Sequence, residues 1–379
     1  MILPRIIEAP KQSFFLMGPR GSGQTTWLRT AFPDAHVIDL LSEETYQRLL
    51  VAPNLFADEL RALPVGKWVV VDEIQRLPNL LNEVHRFIEE KRLRFVLCGS
   101  SARKLKRAGV NLLACRALHR SMHPFLPEEL GQHFDYEIAL QYGSLPNVWD
   151  AVEQEETLNA YAQLYLKEEI QAEALVRNLP GFARFLPIAA LFHGQTINVS
   201  ALARDSGVAR TTVSGYLDVL EETLLCFRLP AYEARLRVRE RKLPKWYWCD
   251  TGIVRAMKRS YGNVTVEEQG ALFEGMVAQV LRAYKDYKNL CDEIYYWAPA
   301  GRLRTEVDFL LIKGSEIWAI EAKSGQQFTE TWCRGLRAIE KLKGLKRRFI
   351  VYPKGPAFKT KDEIEVFPFK QFKDLISKG

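Results

Sequence analysis

The first apolar run of the chain, SFFLMG over residues 13–18, passes directly into GPRGSGQTT and then into WLRTAF, the order strand, glycine-rich loop, helix. A second run, Trp68 to Val71, ends in Asp72 and Glu73. A third, Phe95 to Cys98, ends in Gly99, Ser100 and Ser101, with the helical stretch EVHRFIEEKR between the two. Apolar strands alternating with helices predict a parallel α/β sheet covered on both faces, with its ligand chemistry at the carboxyl ends of the strands.

From about Asp150 the pattern changes to helical periodicity, AVEQEETLNAYAQLYLKEEIQAEAL, broken at NLPG (178–181). The segment INVSALARDSGVARTTVSGYLDVLEETLL then fits two helices around a tight turn, with Ser200 as the cap of the first and Gly207 in the turn. Val213, Tyr216, Leu217 and Leu220 form the apolar stripe of the second. FRLPAYEARLRVRERKLPKWYWCD has the pattern of two wing strands with a basic tip. After residue 265 the α/β pattern returns: a helix in GALFEGMVAQVLRAYK, a hairpin in TEVDFLLIKGSEIWAIEAKSG, and a basic tail of helix and strand. The expected domains are therefore 1–150, 151–262 and 263–379.

A length of 379 residues supports more than one domain, and 47% hydrophobic with 26% charged residues excludes a disordered or fibrous chain. No apolar run reaches the length of a membrane span and the opening MILPRIIEAPKQ lacks a signal-peptide core, so a cytoplasmic protein with no membrane partner is expected. The six cysteines are dispersed without a C-x-x-C pair, which argues against a disulfide framework or structural zinc. His119 and His123 lie four apart, but HRSMH lacks the glutamate of the zinc-protease helix and Pro124 ends the segment. The net charge of +7 favours an acidic partner such as nucleic acid.

GPRGSGQT, residues 18–25, fits the phosphate-loop template G-x-x-x-x-G-K-[ST] except at Gln24, which stands in the lysine position. Gly18, Pro19, Arg20, Gly21, Ser22, Gly23, Gln24, Thr25 and Thr26 are the expected ATP/ADP-binding residues. Backbone N–H groups and the helix start still serve a β-phosphate without lysine. Thr25 and Asp72 are the expected Mg²⁺ ligands, and Glu73 is the group that polarises water. A neutral amide does not replace the ammonium's charge on the β- and γ-phosphates, so hydrolysis is expected to be weak. Ser100 is a candidate γ-phosphate sensor, and Arg116 and Arg120 are candidate arginine fingers.

GPRGSGQTT, VVVDEIQRLPNL, LCGSSARKL and RALHRSMHPF resemble the prokaryotic AAA-type ATPases that join a RecA-like core to a winged helix and a C-terminal nuclease-like domain of unknown function. The resemblance spans nearly the whole chain. It implies a homo-oligomer, a hexameric ring, with nucleotide at the subunit contacts. Gln24 departs from the family pattern, either as a natural feature or as a change that stalls hydrolysis.

In EVDFLLIKGSEIWAIEAK, pairing Ile312 with Ile317 places Asp308 opposite Glu321, within reach of a shared divalent ion, and puts Lys323 on the same face as Glu321. Asp followed by Glu-x-Lys on a hairpin resembles the PD-(D/E)XK nuclease core, also found in Holliday-junction resolvases. That resemblance implies Mg²⁺ on Asp308 and Glu321, Lys323 positioning water, and Glu274 as the helix-borne acid. DNA contacts are expected at Arg210, Thr211 and Thr212 and at the basic tip, Arg235, Arg237, Arg239, Arg241 and Lys242. Three functions follow: an ATPase motor on duplex or branched DNA, which the sequence favours; an Mg²⁺-dependent nuclease regulated by ATP; and a nucleotide switch that binds a protein.

Overall fold

The computed structural model describes residues 3–101, 116–165, 178–234, 240–300 and 305–377. The chain forms two compact units, one up to Pro124 together with Glu222–Leu224, and one from Phe125 to Glu221 and from Leu225 onward.

The first unit is a five-stranded parallel sheet in the order β2-β3-β4-β1-β5, from β1 (Phe14–Met17), β2 (His36–Asp39), β3 (Trp68–Asp72), β4 (Arg94–Gly99) and β5 (Leu118–Ser121). β1, β3 and β4 are buried almost throughout because helices cover both faces, as their uninterrupted apolar runs require. Phe15, Ile38, Leu49, Phe56, Val69, Val71, Leu81, Phe87 and Leu97 belong to one continuous core. β4 separates β1 from β3, so the loops after all three strands meet at one edge, where strand order departs from chain order. HRSMH begins in β5 rather than in a helix, and the His119 ring stacks on Phe15 at 5.2 Å.

In the second unit, the helix Val199–Ser206 is capped by the Asn198 side chain, which accepts from the N–H groups of Ser200 and Ala201. The cap is thus Asn198 and not Ser200, because the Asn198 carbonyl oxygen reaches the free donors of the first turn. Gly207 closes that helix at φ 64°, in the left-handed region that glycine adopts freely. The second helix, Arg210–Glu222, buries Val213, Tyr216, Leu217, Val219 and Leu220.

A small antiparallel sheet follows, with β6 (Gln195–Thr196), β7 (Cys226–Leu229) and β8 (Lys245–Trp248) in the order β6-β8-β7. Trp246, Tyr247 and Trp248 are fully buried and serve the core. The C-terminal sheet runs β13-β14-β12-β11-β10-β9, from β9 (Glu293–Trp297), β10 (Val307–Lys313), β11 (Glu316–Ala322), β12 (Leu345–Tyr352), β13 (Phe358–Lys359) and β14 (Glu365–Pro368). β9, β10 and β11 form an antiparallel meander, while β11, β12 and β14 are parallel. The long helix Val266–Lys288, started by a Thr265/Glu268 capping box, packs on β8 and β11 and joins the small sheet to the large one.

The helix Thr251–Lys258 packs on Tyr136–Tyr142, and Asp250 accepts the Ser144 N–H at 2.7 Å. These contacts place residues 125–150 with the second unit, so the division of the chain falls earlier than the one drawn near Asp150 from helical periodicity. A Cβ at Gly252 would stand 2.0 Å from the Tyr142 carbonyl oxygen. Gly252→Ala is therefore expected to destabilise the second unit by about 1–3 kcal/mol, read as a lowered urea midpoint with the native fold retained.

Candidate functional site

At the strand-end edge of the first unit, the loop after β1 turns through Gly21 (φ 79°) and Gly23 (φ 87°). Both lie in the left-handed region, which a side chain would strain. The helix Gln24–Ala31 starts at Gly23 without a side-chain cap, leaving its first N–H groups for an anion. The Ser22 hydroxyl is buried in this loop without a hydrogen-bond partner. At Gly18 an added Cβ would meet the Met122 carbonyl oxygen at 2.5 Å, so the loop lies against the end of β5. The Arg5 guanidinium clasps the same place, donating to the carbonyls of Ser22 at 2.6 Å and His123 at 2.5 Å.

Gln24 does not imitate the lysine it replaces. Its amide nitrogen donates to the carbonyls of Leu16 at 2.9 Å and Gly99 at 3.3 Å, which occupies both of its N–H bonds on the ends of β1 and β4. Thr25 donates its hydroxyl to Asp72 Oδ2 at 3.1 Å, and Asp72 Oδ1 accepts from the Glu73 N–H at 3.1 Å and the Cys98 thiol at 3.2 Å. Burial, then the Asp72 charge, pushes the Cys98 thiol well up, so it stays protonated as a donor. An exposed hydroxyl beside a carboxylate suits Mg²⁺, which binds one or two protein oxygens and fills its octahedron with water and phosphate.

Glu73 is held at φ 57° and its carboxylate accepts from the Gln75 amide, which also donates to Ser100 at 3.3 Å. Gln75 and Arg5 have no place in the motif template. The signal for Gln75 is its spacing two residues after Glu73, and Gly99 makes room for it: a Cβ there would stand 2.0 Å from Gln75 Oε1. Arg116 forms an ion pair with Glu89, and Arg120 donates to the His119 carbonyl at 2.9 Å. Both arginines thus have partners within their own unit.

The hairpin of the second unit has the register deduced from its turn, Ile312 opposite Ile317 and Phe309 opposite Ile320, which puts Asp308 level with Glu321. Both acids are buried. Lys323 reaches Glu321 Oε1 at 2.5 Å and Asp308 Oδ2 at 3.9 Å, and Asp308 Oδ2 also accepts the Ala322 N–H at 2.9 Å. A fifth residue, absent from the sequence reading, enters from β8. The Lys245 ammonium lies 2.8 Å from Glu274, 3.4 Å from Glu306 and 3.4 Å from Asp308, and Tyr247, two residues on, donates its hydroxyl to Glu274.

Burial, then the Asp308 charge, pushes the Glu274 carboxyl up to about 7 and the Glu321 carboxyl well above its ordinary range. Burial opposes the Lys245 ammonium, but Glu274, Tyr247 and Asp308 outweigh it and hold its pKa well up. Among the described residues no group of three or more His, Cys, Asp or Glu is arranged to hold a metal ion. Two lysine ammoniums, Lys245 and Lys323, stand among the carboxylates on which the sequence places a shared divalent ion.

Of the expected DNA contacts, Arg210 and Thr211 are exposed and Thr212 is half-buried at the start of the second helix. Asp218 and Glu221, the acids further along, face Arg228 at 2.9 and 3.4 Å, which offsets their charge. Arg235, Arg237 and Arg239 lie outside the described residues. The flanks of that tip are fastened to the strand β9 side, Tyr232 N–H to the Tyr296 carbonyl at 2.7 Å and Arg241 N–H to Ala298 at 2.9 Å. Lys242 is exposed and pairs with Glu233 at 3.3 Å.

Residues 10–131 match the family model of an AAA domain. Residues 133–263 and 269–372 match two further models, Domain of unknown function (DUF8612) and Domain of unknown function (DUF4143). The uncharacterized protein Rv2008c of Mycobacterium tuberculosis is 26% identical over 365 residues, which cover 94% of this chain and 80% of that protein. Among solved structures, the Aeropyrum pernix Orc1 protein in complex with DNA gives a TM-score of 0.29 at 15% identity, covering 66% of this chain and 87% of that one. The replication initiator DnaA bound to AMPPCP and single-stranded DNA gives 0.30 at 13%, covering 57% and 84%. By its family match the chain has an AAA-type P-loop ATPase domain, followed by an additional C-terminal sheet domain.

Two outcomes follow. Gln75→Leu removes the donor that orients Glu73, and is expected to lower ATP turnover about tenfold while leaving ATP affinity unchanged, read from steady-state kinetics beside equilibrium nucleotide binding. The raised Glu274 pKa makes the folded state hold its proton more tightly than the unfolded chain. Its stabilising contribution is full at low pH and is lost as pH rises toward about 7. Urea midpoints between about pH 5 and 8 should therefore decline less steeply in Glu274→Gln than in the wild type.

Proposed function

We propose that this chain, whose N-terminal part is an AAA-type ATPase domain, is an ATP-dependent DNA-binding protein that acts on duplex or branched DNA as a homo-oligomer, a hexameric ring. The observation that carries the nucleotide half is the Thr25 hydroxyl on Asp72 with Glu73 beside it, below a glycine-rich loop that opens onto a helix start. In this reading Gly18 to Thr26 would bind the phosphates, and Thr25 with Asp72 would hold Mg²⁺, which would supply charge neutralisation to the phosphate chain. Glu73, oriented by Gln75, positions the attacking water, and Ser100 reports on the far end of the phosphate chain. With both Gln24 N–H bonds spent on strand-end carbonyls, the ATPase binds nucleotide and turns it over slowly.

Arg210, Thr211 and Thr212 at the start of the second helix support the DNA half, since a helix-turn-helix offers the first turn of that helix to the groove. Arg241, Lys242 and the basic tip would add phosphate contacts. Arg116 and Arg120 would serve a neighbouring subunit's nucleotide only after exchanging their present partners. A second reading, a nucleotide switch that binds a protein partner, is favoured by the Gln24 geometry alone.

The deciding measurement is ATP hydrolysis by Gln24→Lys without DNA and with single-stranded, duplex and four-way-junction DNA. Restoring the ammonium should raise turnover by roughly 10²–10³. Duplex or junction DNA should stimulate it further, and salt should weaken the response. A response flat across all three DNAs, with tight nucleotide binding, would replace the DNA reading with the switch.

A further inference from the structure

The buried carboxylates of Asp308 and Glu321, from β10 and β11, and the half-buried Glu274, from the helix Val266–Lys288, make a set that invites a divalent cation. The Lys245 side chain, only 3% exposed, comes from a different part of the chain and puts its ammonium among Glu274, Glu306 and Asp308. Tyr247 on the same face of β8 completes the Glu274 contact. The remaining acid oxygens point elsewhere. Asp308 Oδ2 is taken by the Ala322 N–H and Lys323, and Glu321 Oε1 is on Lys323, while Glu321 Oε2 is buried beside Gly335 without a hydrogen-bond partner and 3.5 Å from where a Cβ there would stand.

A divalent ion needs oxygens converging at about 2.0–2.6 Å, and here Glu274, Glu306 and Asp308 each present an oxygen to the Lys245 ammonium instead. We propose that Lys245 is the permanent cation of this cluster, closing a latent divalent-cation site, so that the C-terminal domain takes up no Mg²⁺ and cuts no phosphodiester. The lysine is covalently part of the fold and arrives with β8, whose four residues are all buried, so it is not displaced as a bound ion would be. This inference stands apart from the DNA-responsive ATPase reading: a failure of either leaves the other intact.

The test uses the full chain free of nucleotide, with Mn²⁺ uptake followed by the electron paramagnetic resonance of the free ion. Wild type should show no Mn²⁺ site that depends on Asp308. Lys245→Met, which keeps the length of the stem and removes the charge, should gain about one Mn²⁺ per chain, and the added change Asp308→Asn should weaken it about tenfold or more. Should Lys245→Met fail to fold, Lys245→Gln, which keeps a hydrogen-bond donor among the acids and removes the charge, carries the same arm. The proposal is overturned by Mn²⁺ binding to wild type that Asp308→Asn abolishes. It is equally overturned by Mg²⁺-dependent cutting of junction or plasmid DNA that Asp308→Asn abolishes, or by a folded Lys245→Met protein that takes up no Mn²⁺.

Discussion

The second unit depends on one charge. A buried ammonium is tolerated only with carboxylates around it, and buried carboxylates only with a cation among them, so Lys245 and its acids require one another. Because Lys245 belongs to β8, Glu274 to the helix Val266–Lys288 and Asp308 to β10, satisfying that requirement fixes three elements in place at once. The burial of Trp246, Tyr247 and Trp248, the close approach of helix to sheet, and the fastening of the β7–β8 connection to the end of β9 are consistent with that placement. Removing the Lys245 ammonium leaves Glu274 with the Tyr247 hydroxyl alone and Asp308 with the more distant Lys323, which costs more than losing a surface ion pair.

The first unit follows a different constraint, set by strand order. With β4 between β1 and β3, a side chain from the glycine-rich loop must cross the end of β4 to reach the acids at the end of β3. Gln24 uses that crossing to bond the Gly99 carbonyl, while Gln75 uses the space that Gly99 leaves to join Glu73 to Ser100. The small residue at the end of β4 thus accommodates partners from both sides.

Much of this architecture was legible in the sequence where the signal is local. A strand, two glycines of positive φ and a helix start occupy one continuous stretch, and the register of the β10–β11 hairpin follows from its short turn, so both read correctly. The two helices around Gly207 were legible for the same reason: Gly207 and the stripe from Val213 to Leu220 are neighbours in the chain. Lys245 was not legible, because it is separated from Asp308 by 63 residues and follows a run of basic residues that draws it toward the surface in a pattern reading. Arg5 was missed on similar grounds, since its two carbonyl partners belong to distant turns. The Asn198 cap was missed because Ser200, two residues on, is itself a cap-forming residue type.

Glu73 sits at φ 57°, a conformation that glycine takes freely and that costs a side-chain-bearing residue about 1 kcal/mol or more. The residue best for folding at this position is therefore not a glutamate. In a lineage released from selection on nucleotide chemistry, drift toward glycine or asparagine here would be rewarded with a steadier sheet. If Glu73 positions water as proposed, an intact glutamate at this strained corner would mark continued use, and position 73 would be the one to follow among relatives of this chain.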